Sequence, residues 1–174
     1  MKLTGEEVRK HLEMSYDQWV NTMQSPDDHI MLLDENAKHD NQRNMFKNLT
    51  FNFDSAAGID YVVDVTKPDG EKVKILRMSN GEPFDENKWY KVVLNSYRGN
   101  GGGELLTRGA GIPKDSLDSR VIFRSERDQR YYLTKEIECQ GTIIPHKLDN
   151  WRFIPEDWAE PAIRRDRKLL FEKY

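Results

Sequence analysis

Hydrophobic positions near the start of the chain recur with the spacing of a helix. Thr4 suits the N-cap position, and Glu7, three residues on, completes a capping box. The apolar residues that follow at this spacing are Val8, Leu12, Tyr16, Trp19, Val20 and Met23. Ser25-Pro26-Asp27-Asp28 is a stop signal, so we expect the first helix to run until that point. The following stretch, 24–50, is polar apart from an apolar run at 30–33, and we interpret it as a variable insertion that forms a loop or a short helix.

Alternation with a period of two then predicts a β-meander. Residues 59–65 alternate and are rich in β-branched side chains, and the turn signal Lys67-Pro68-Asp69-Gly70 follows them. Residues 72–78 alternate again and end at a second turn signal, Asn80-Gly81. Residues 88–94 are more continuously apolar, which predicts a third strand nearer the centre of the sheet.

Helical signals return in the last third of the chain. Ser125 and Asp128 resemble a capping-box start, and Gly141 suits a C′ position, so we predict a helix that continues from this start to Cys139. Its apolar face would consist of Tyr131, Tyr132, Leu133 and Ile137. Residues 151–154 fit a short strand, and 155–174 predict a helical end in which Ile163, Leu169, Leu170 and Phe171 pack.

Together these elements predict an α+β protein with a mixed or antiparallel sheet and flanking helices. The 174 residues suit a single domain, 1–174, in which 147–174 form a C-terminal tail with a helix. No stretch is long and apolar enough to span a membrane, and the N-terminus lacks the apolar core of a signal peptide.

Charge and cysteine content narrow the range of partners. The formal net charge is −3, so no overall positive field favours nucleic acid. A basic cluster near the C-terminus lies among acidic residues, which favours a solvated helix face; it consists of Arg164, Arg165, Arg167 and Lys168. We interpret the single cysteine, Cys139, as a small buried residue rather than a nucleophile.

The most unusual segment is 95–103, where a predicted strand runs into Gly101-Gly102-Gly103. Three consecutive glycines give up conformational order, so something must favour them at this point. One interpretation is a close approach of the backbone to a flat or charged ligand, and the other is a flexible turn before Leu105 and Leu106. The spacing matches neither a P-loop nor a dinucleotide fingerprint.

Aromatic residues lie beside two stretches of small residues. Tyr97 precedes the glycines, and a ring at a strand end can stack on a nucleobase for roughly 1–3 kcal/mol. Phe51 and Phe53 precede Ser55-Ala56-Ala57-Gly58. Rings on two loops could hold a base between them, although each ring taken singly is more typical of a protein core.

Signatures of a self-contained enzyme are absent from the sequence. The histidines, which are His11, His29, His39 and His146, share no metal-ligand spacing with a carboxylate or cysteine. No Gly-x-Ser-x-Gly motif is present. We therefore predict no catalytic residue, no metal site and no cofactor in this chain, and we expect a surface or packing role for His11.

Four stretches, in the right order over residues 1–140, resemble the C-terminal domain of the 5′-nucleotidase and 2′,3′-cyclic-nucleotide phosphodiesterase family. The stretches are 3–13 (beginning Leu3-Thr4-Gly5-Glu6-Glu7), Phe53-Asp54-Ser55-Ala56-Ala57-Gly58-Ile59, 80–94 (beginning Asn80-Gly81-Glu82-Pro83-Phe84-Asp85) and 95–103. Each is weak alone, and their order makes the signal specific. Residues 151–171 are similar to a tail found in some bacterial members.

The resemblance implies a set of substrate-binding positions. They are Phe51, Phe53, Asn95, Tyr97, Asn100, Gly101, Gly102 and Gly103. In this family two aromatic rings clamp the base, which here would be Tyr97 and either Phe53 or Phe51. The remaining positions match the loop that shapes the nucleoside pocket. An aspartate that often holds the ribose is replaced by Gly103, with Glu104 next, and this puts ribose recognition in question.

The resemblance also implies a partner. The catalytic domain of the family is an N-terminal phosphoesterase whose divalent metal pair activates water for attack on phosphorus. None of its His/Asp motifs occurs here, and neither does the Asn-Gly-Gly-x-Arg segment that opens the C-terminal domain, so we assign no phosphate role to Arg98 or Arg108. We expect a chain truncated at its N-terminal side, inactive alone, that works with an N-terminal metallophosphoesterase domain or chain in the periplasm or at the cell surface.

Three functions are therefore considered. The leading hypothesis is a module that binds a nucleotide or nucleoside for a metal domain supplied elsewhere. The second is a non-catalytic interaction or structural domain, because an exposed strand edge could dimerise or dock onto a partner. The third is an independent enzyme with an unrecognised site. The substrate stays open among mononucleotides, cyclic nucleotides and nucleotide sugars.

Overall fold

The computed structural model describes residues 1–34, 36 and 45–171. In chain order its helices and strands are β1 (Lys2–Thr4), α1 (Gly5–Asp17), β2 (Ile59–Asp64), β3 (Val73–Met78), β4 (Trp89–Lys91), α2 (Ser96–Gly99), α3 (Gln129–Gln140), β5 (Trp151–Ile154) and α4 (Glu156–Phe171). Short 3-10 turns and one π-helical turn, Leu105–Gly109, lie in the connections. The combination of helices with small sheets confirms the predicted α+β class.

Helix α1 begins as predicted but ends earlier. The Glu7 N–H donates to Thr4 Oγ1 over 3.2 Å, and the Thr4 N–H donates to Glu7 Oε2 over 2.7 Å, which completes the capping box. The helix then stops at Asp17, so the predicted continuation to Met23 is wrong. Val20 instead forms an antiparallel bridge with Met31, and the Met23 N–H donates to the Val65 carbonyl. The side chains of Val20 and Met23 are buried although their backbone is extended. Periodicity in the sequence does not distinguish this arrangement from a further turn of helix.

The main sheet has three strands in the order β3-β2-β5. Strand β2 runs antiparallel to β3, with an irregularity in register between Asp60 and Tyr61, and parallel to β5. The sheet is therefore mixed, as predicted, and the first two strands of the meander are confirmed. Strand β2 lies in the middle, where Tyr61, Val62 and Val63 are all buried.

The third predicted strand is wrong in both length and position. Strand β4 covers only Trp89–Lys91 and pairs with β1 in a separate two-stranded sheet. The apolar run 88–94 does not mark a central strand: Val92 and Leu94 are partly buried, whereas Val93 is 98% exposed. Val92 and Leu94 thus face inward, as alternate residues of extended chain do, while Val93 faces outward although it is apolar.

Helix α1 lies between two hydrophobic clusters. The first cluster joins α1 to the three-stranded sheet and to α4, whose Ala159 and Ala162 are buried in it. The second cluster lies under β1 and β4 and includes Leu3, Leu106 and Ala110. Because the π-helical turn that carries Leu106 follows directly after the glycine-rich segment, packing of this cluster fixes one end of that segment.

A buried polar group also connects α1 to the hairpin of the main sheet. Glu13 accepts hydrogen bonds from the backbone N–H groups of Lys72 (3.0 Å) and Val73 (2.9 Å). The buried Lys72 ammonium donates to Asp17 over 3.1 Å and also to Asp69. Burial raises the pKa of Glu13 and of Asp17, and the hydrogen bonds they accept only partly oppose it.

The predicted helix near residue 130 is present, but its packing is not as predicted. Asp128 caps α3 by accepting from the Tyr131 N–H, and Gly141 follows its end with a φ of 75°. All residues from 122 to 149 are exposed, so the expected apolar face is not buried against the rest of the described chain. Cys139 is exposed as well, and the prediction that it is buried is wrong.

The C-terminal helix α4 confirms the helical tail. Its contact with the core is made by Ala159, Ala162 and Ile163, while the predicted Leu169 and Phe171 are largely exposed. The basic cluster is solvated except for Arg165, which donates to the carbonyls of Pro26 and Asp28.

Part of the polar insertion 24–50, including His39, lies outside the described residues. Its described ends contain a turn at Ser25–Asp28 and an isolated bridge between Leu33 and Phe46. No helix in the described residues has the length and apolar character that crossing a membrane requires.

Candidate functional site

The second aromatic loop, residues 95–103, begins with a capped helical turn. The side chain of Asn95 accepts a hydrogen bond from the Arg98 N–H over 2.8 Å and so starts α2. This short helix directs Arg98 into the protein, where only 3% of the residue is exposed, and directs Tyr97 outward, where half of it is exposed. Asn95 and Asn100 are exposed on either side. A ring available to a ligand is thus supported by a buried cation.

Arg98 joins this loop to the first aromatic loop, which carries Phe51 and Phe53. Its Nε lies 2.8 Å from Asp54 Oδ2, and its Nη2 lies 2.9 Å from Asp54 Oδ1, which is a bidentate ion pair. Its Nη1 donates to Asn52 Oδ1 over 2.5 Å and to the Gly102 carbonyl over 3.1 Å. One guanidinium therefore holds both loops and closes the glycine-rich segment back onto its own helix.

Helix α1 supports the other side of Asp54. His11 Nε2 lies 2.9 Å from Asp54 Oδ2, and Ser15 Oγ donates to the Asp54 carbonyl and accepts from its N–H. Partial burial would raise the pKa of Asp54, but hydrogen bonds from His11 and Arg98 and the charge of Arg98 outweigh it, so the pKa is lowered. The carboxylate is thus ionised at neutral pH, and its oxygens are in contact with Arg98 and His11. His11, for which we expected a surface or packing role, is buried and contacts the Asp54 carboxylate.

The lowered pKa of Asp54 predicts a contribution to acid stability. A carboxylate whose pKa is lower folded than unfolded stabilises the protein above its unfolded pKa, which is about 3.9, and the stabilisation is lost as pH falls through the folded value. We expect Asp54→Asn to lose stability relative to the unmodified chain at pH 6, and this difference to shrink below about pH 4. Urea unfolding of both proteins between these limits measures it.

The comparison with the variant is necessary because other carboxyl groups act in the opposite direction. The raised pKa values of Glu13 and Asp17 make their contribution more favourable as pH falls, so the total stability curve mixes both effects. Subtracting the Asp54→Asn curve removes this common part. A difference that stays constant down to the lowest pH would contradict the assigned role of the Asp54 carboxylate.

The three glycines have structural reasons within the loop. Gly101 and Gly103 have φ values of 86° and 70°, a region that favours glycine. A Cβ on Gly102 would lie 2.5 Å from the ring of Tyr97, and a Cβ on Gly103 would lie 1.9 Å from Asn52 Oδ1. The backbone of these glycines is therefore packed against Tyr97 and Asn52 of the protein itself, and the segment is a packed turn rather than the flexible turn that was the alternative interpretation.

The two phenylalanines of the first loop have different surroundings. Phe53 is 36% exposed and meets Tyr16 edge to face, with ring centroids 5.2 Å apart, and it also contacts Trp19. Phe51 is 57% exposed and has no ring contact among the described residues. Asn52, between them, points to the second loop, where its Nδ2 lies 3.4 Å from the Gly103 carbonyl. The structure thus places the two predicted aromatic loops side by side.

A cleft borders the second loop. One wall consists of Asn95, Ser96, Gly99 and Asn100, and the other is formed by 121–125. Its volume is about 570 Å³, which lies within the range of small-molecule sites. Asn95 and Asn100, two of the predicted substrate positions, therefore line an open cavity.

Sequence reasoning missed the residues that join the two loops. Asp54 lies in one of the stretches that resemble the family, but the sequence assigned a site role to none of Asp54, Asn52 and His11. A charge pair separated by 44 residues leaves no periodic signal, so only the fold reveals it. Within the described ranges 1–34, 36 and 45–171, no group of three or more His, Cys, Asp or Glu residues could hold a metal ion.

Comparison with known proteins identifies the family. The model of the 5′-nucleotidase C-terminal domain matches residues 1–108. The chain is 31% identical over 166 residues to the trifunctional nucleotide phosphoesterase YfkN of Bacillus subtilis, covering 89% of this chain and 10% of that protein. It is 34% identical over 122 residues to the 2′,3′-cyclic-nucleotide 2′-phosphodiesterase/3′-nucleotidase of Salmonella typhimurium, covering 61% of this chain and 17% of that protein. The chain belongs to the 5′-nucleotidase C-terminal domain family, which confirms the resemblance.

A solved structure agrees on the fold. A crystallised protein described as a 5′-nucleotidase from Staphylococcus aureus, in complex with alpha-ketoglutarate, matches with a TM-score of 0.55 at 17% identity. The match covers 88% of this chain and 26% of that one. The chain thus spans between a tenth and a quarter of the length of the relatives it matches.

Proposed function

We propose that the chain binds a nucleotide or nucleoside as the substrate-holding part of a nucleotide phosphoesterase. The observation that carries the proposal is the half-exposed ring of Tyr97. Tyr97 lies on the second aromatic loop, which buried Arg98 holds next to the first aromatic loop, where Phe51 is exposed. Base stacking needs a ring whose face is available and whose position is set before the ligand arrives. Membership of the 5′-nucleotidase C-terminal domain family supports the same function.

In this proposal Tyr97 stacks on one face of the base. We assign the opposite face to Phe51 rather than Phe53, because the ring of Phe53 is already engaged by Tyr16 and Trp19. Asn95 and Asn100 offer amide donors and acceptors at the adjoining cleft. The position where the family often has a ribose-binding aspartate is Gly103, so no carboxylate is available at that position.

Cyclic nucleotides and 3′-nucleotides are the substrates that we favour. The relatives from Salmonella typhimurium and Haemophilus influenzae are both named as 2′,3′-cyclic-nucleotide 2′-phosphodiesterase/3′-nucleotidases. Hydrolysis would require a partner, an N-terminal metallophosphoesterase domain or chain with a divalent metal pair that activates water. In this arrangement the present chain would position the base, and water activated in the partner would attack the phosphorus, in the periplasm or at the cell surface.

A titration of the chain followed by NMR tests the proposal. Adenosine, AMP and 2′,3′-cyclic AMP are added separately to isotope-labelled protein. We expect the amide shifts to concentrate at Phe51, Tyr97 and 101–103, with the largest effect for the preferred phosphate form. Shifts scattered over the surface, or none at millimolar ligand, would contradict binding by these loops.

Substitution of single rings assigns the two sides of the clamp. We expect Tyr97→Ala to weaken binding about tenfold, since stacking contributes roughly 1–3 kcal/mol per base. Phe51→Ala should act similarly and Phe53→Ala should mainly destabilise the fold. Tyr131→Ala is the matched control, because this exposed tyrosine lies on α3, outside both loops. Equal affinity of the Tyr97 and Tyr131 variants would exclude the stacking role.

The second candidate, a non-catalytic interaction domain, is also favoured by a specific observation. Val93 is almost fully exposed just after strand β4, in the segment that leads into the second loop. Such an apolar residue beside unpaired backbone is typical of a strand edge that another chain covers.

A further inference from the structure

His11 and Arg98 share one oxygen atom of Asp54. His11 Nε2 lies 2.9 Å from Asp54 Oδ2, and Arg98 Nε lies 2.8 Å from the same atom. Because an ionised carboxylate only accepts hydrogen bonds, Nε2 carries the proton of the neutral imidazole. Two donors therefore reach one carboxylate from different elements, His11 from α1 and Arg98 from the second aromatic loop.

The charges of this cluster balance while His11 is neutral. Asp54 carries one negative charge and Arg98 one positive charge, and only 8% of the His11 side chain and 4% of the Arg98 side chain are exposed. A further proton on the ring would be added at Nδ1, which is buried and has no hydrogen-bond partner among the described residues. The second positive charge would then share the Asp54 carboxylate with Arg98.

The other charged groups around the His11 ring do not compensate such a charge. Lys91, across the pocket that His11 lines, is itself a cation. Glu7, one turn before His11 on α1, is paired with Arg120 over 3.0 Å. Two cations at one carboxylate repel each other, and burial strengthens the repulsion because little water screens it. Protonation of His11 therefore weakens the bond between Arg98 and Asp54.

That bond contributes to the position of Tyr97. Arg98 spans from the second aromatic loop to Asp54, and its guanidinium carbon lies 5.3 Å from the centre of the Tyr97 ring. The other two acceptors of Arg98 are neutral, so the contact with Asp54 is the one that a charge on His11 affects most. When this contact weakens, the two loops are held less firmly and Tyr97 is less well placed to stack on a base.

We propose that His11 is a positioning residue of the nucleotide site, whose protonation loosens the junction of the two aromatic loops and weakens nucleotide binding as pH falls. Histidine ordinarily changes charge between about pH 5 and 8. Asp54 stays ionised over this range because its pKa is lowered by His11 and Arg98. The effect on affinity rests on the proposed function, whereas the loosening of the loops does not.

The affinity for adenosine as a function of pH tests the proposal. Adenosine is uncharged in this range, whereas the phosphate of a nucleotide titrates near about pH 6 and would obscure the effect. We expect the dissociation constant to rise about fivefold from pH 8 to about pH 5.5, a typical lower value for the coupling of two linked groups. By the same linkage, saturating adenosine favours the neutral ring, so the NMR titration midpoint of His11 should move to lower pH.

Two glutamine variants separate His11 from other titrating groups. His11→Gln offers an amide donor near the position of Nε2 but gains no charge, so its affinity for adenosine should not depend on pH. His29→Gln is the matched control, because His29 also contacts a buried carboxylate, that of Asp166, over 2.5 Å, but lies outside both loops. It should keep the pH dependence of the unmodified chain. A dependence that survives in His11→Gln would overturn the proposal and point to another group, such as Glu13, and so would a dependence that disappears in His29→Gln.

Spectra of the ligand-free chain separate this inference from the proposed function. The NMR signals of the Arg98 Nε–H and the Tyr97 amide should follow the titration of His11. If adenosine binds at no pH, the proposed function fails, and these signals alone decide whether His11 loosens the loops. Signals that do not follow His11, or an adenosine affinity that is equal at both ends of the pH range, would overturn the proposal. Both measurements use the unmodified chain, so they remain decisive if a variant does not fold.

Discussion

Replacing Arg98 by methionine is expected to lower the free energy of unfolding by about 3 kcal/mol, because it leaves the partly buried Asp54 carboxylate without its buried bidentate partner. Methionine retains most of the aliphatic volume, so the loss reflects the missing donors rather than a cavity. Removing one member of a buried pair costs more than the pair contributes, since the remaining charge is uncompensated. Urea unfolding at neutral pH measures the change.

The chain offers a matched control for this variant. Arg77 pairs with Asp60 over 2.7 Å, the same distance range as Arg98 with Asp54, but Arg77 is exposed on the surface. Exposed ion pairs are screened by water and contribute little, so Arg77→Met should have a much smaller effect. Equal losses for the two methionine variants would mean that burial of Arg98 does not strengthen its role.

A double-mutant cycle separates the ion pair from the rest of the network. Arg98→Met and Asp54→Asn should be strongly non-additive, since each removes the same contact. Arg98 also donates to Asn52 and to the Gly102 carbonyl, so part of the Arg98→Met loss should remain in the Asp54→Asn background. Additive losses would show that Arg98 acts mainly through those two acceptors.

The sequence predicted the features that depend on local chemistry. The capping box of α1, the β2 and β3 hairpin strands, strand β5 and the glycine after the end of α3 were all found where their residues indicated. The start of α3 was predicted from Ser125 with Asp128, whereas Asp128 itself is the N-cap. These signals rest on contacts between residues a few positions apart, or on a period that one element imposes by itself. The family resemblance added the order of the loops, which periodicity alone does not provide.

The errors arose where a remote contact decides the structure. Val20 and Met23 continue the helical period of α1, yet Met31 and Val65 pair with them as extended chain. Residues 88–94 have the pattern of a central strand because the sequence does not show that β1 is the partner. The apolar positions of α3 predict a packed face, whereas the fold leaves the whole arm 122–149 exposed. Each outcome depends on which segments meet, and pattern analysis contains no such information.

The candidate site shows the same difference between local signals, which the sequence reveals, and remote contacts, which it does not. The sequence identified the glycines and the aromatic residues because their composition is unusual, but the interpretation of the glycines changed with the structure. Gly102 is small because the ring of Tyr97 lies against it. Arg98 is buried to hold the loops, which could be recognised only once Asn52 and Asp54 were placed beside it. The exposed ring of Tyr97 and the buried guanidinium of Arg98 that supports its loop therefore come from neighbouring residues.

Substitution of Gly103 by alanine is expected to have the second large effect. At a φ of 70° an L-residue costs roughly 1–2 kcal/mol. The added Cβ would also lie 1.9 Å from Asn52 Oδ1 and 2.1 Å from Arg98 Nη1, and relieving such overlap typically costs a further 1–3 kcal/mol or so. We therefore expect a total loss of about 3 kcal/mol, measured by urea unfolding, together with displaced NMR signals for Tyr97.

Gly81→Ala isolates the backbone part of that loss. Gly81 has a φ of 92° in the turn after β3, and a Cβ there would meet nothing within 4 Å. Its substitution should therefore show the conformational cost alone, and the excess in Gly103→Ala measures the overlap with Asn52 and Arg98. If Gly103→Ala were no more destabilising than Gly81→Ala, the loops would have room to separate. Arg98 would then not fix their spacing, and the preformed position of Tyr97, on which nucleotide binding is argued, would lose its structural basis.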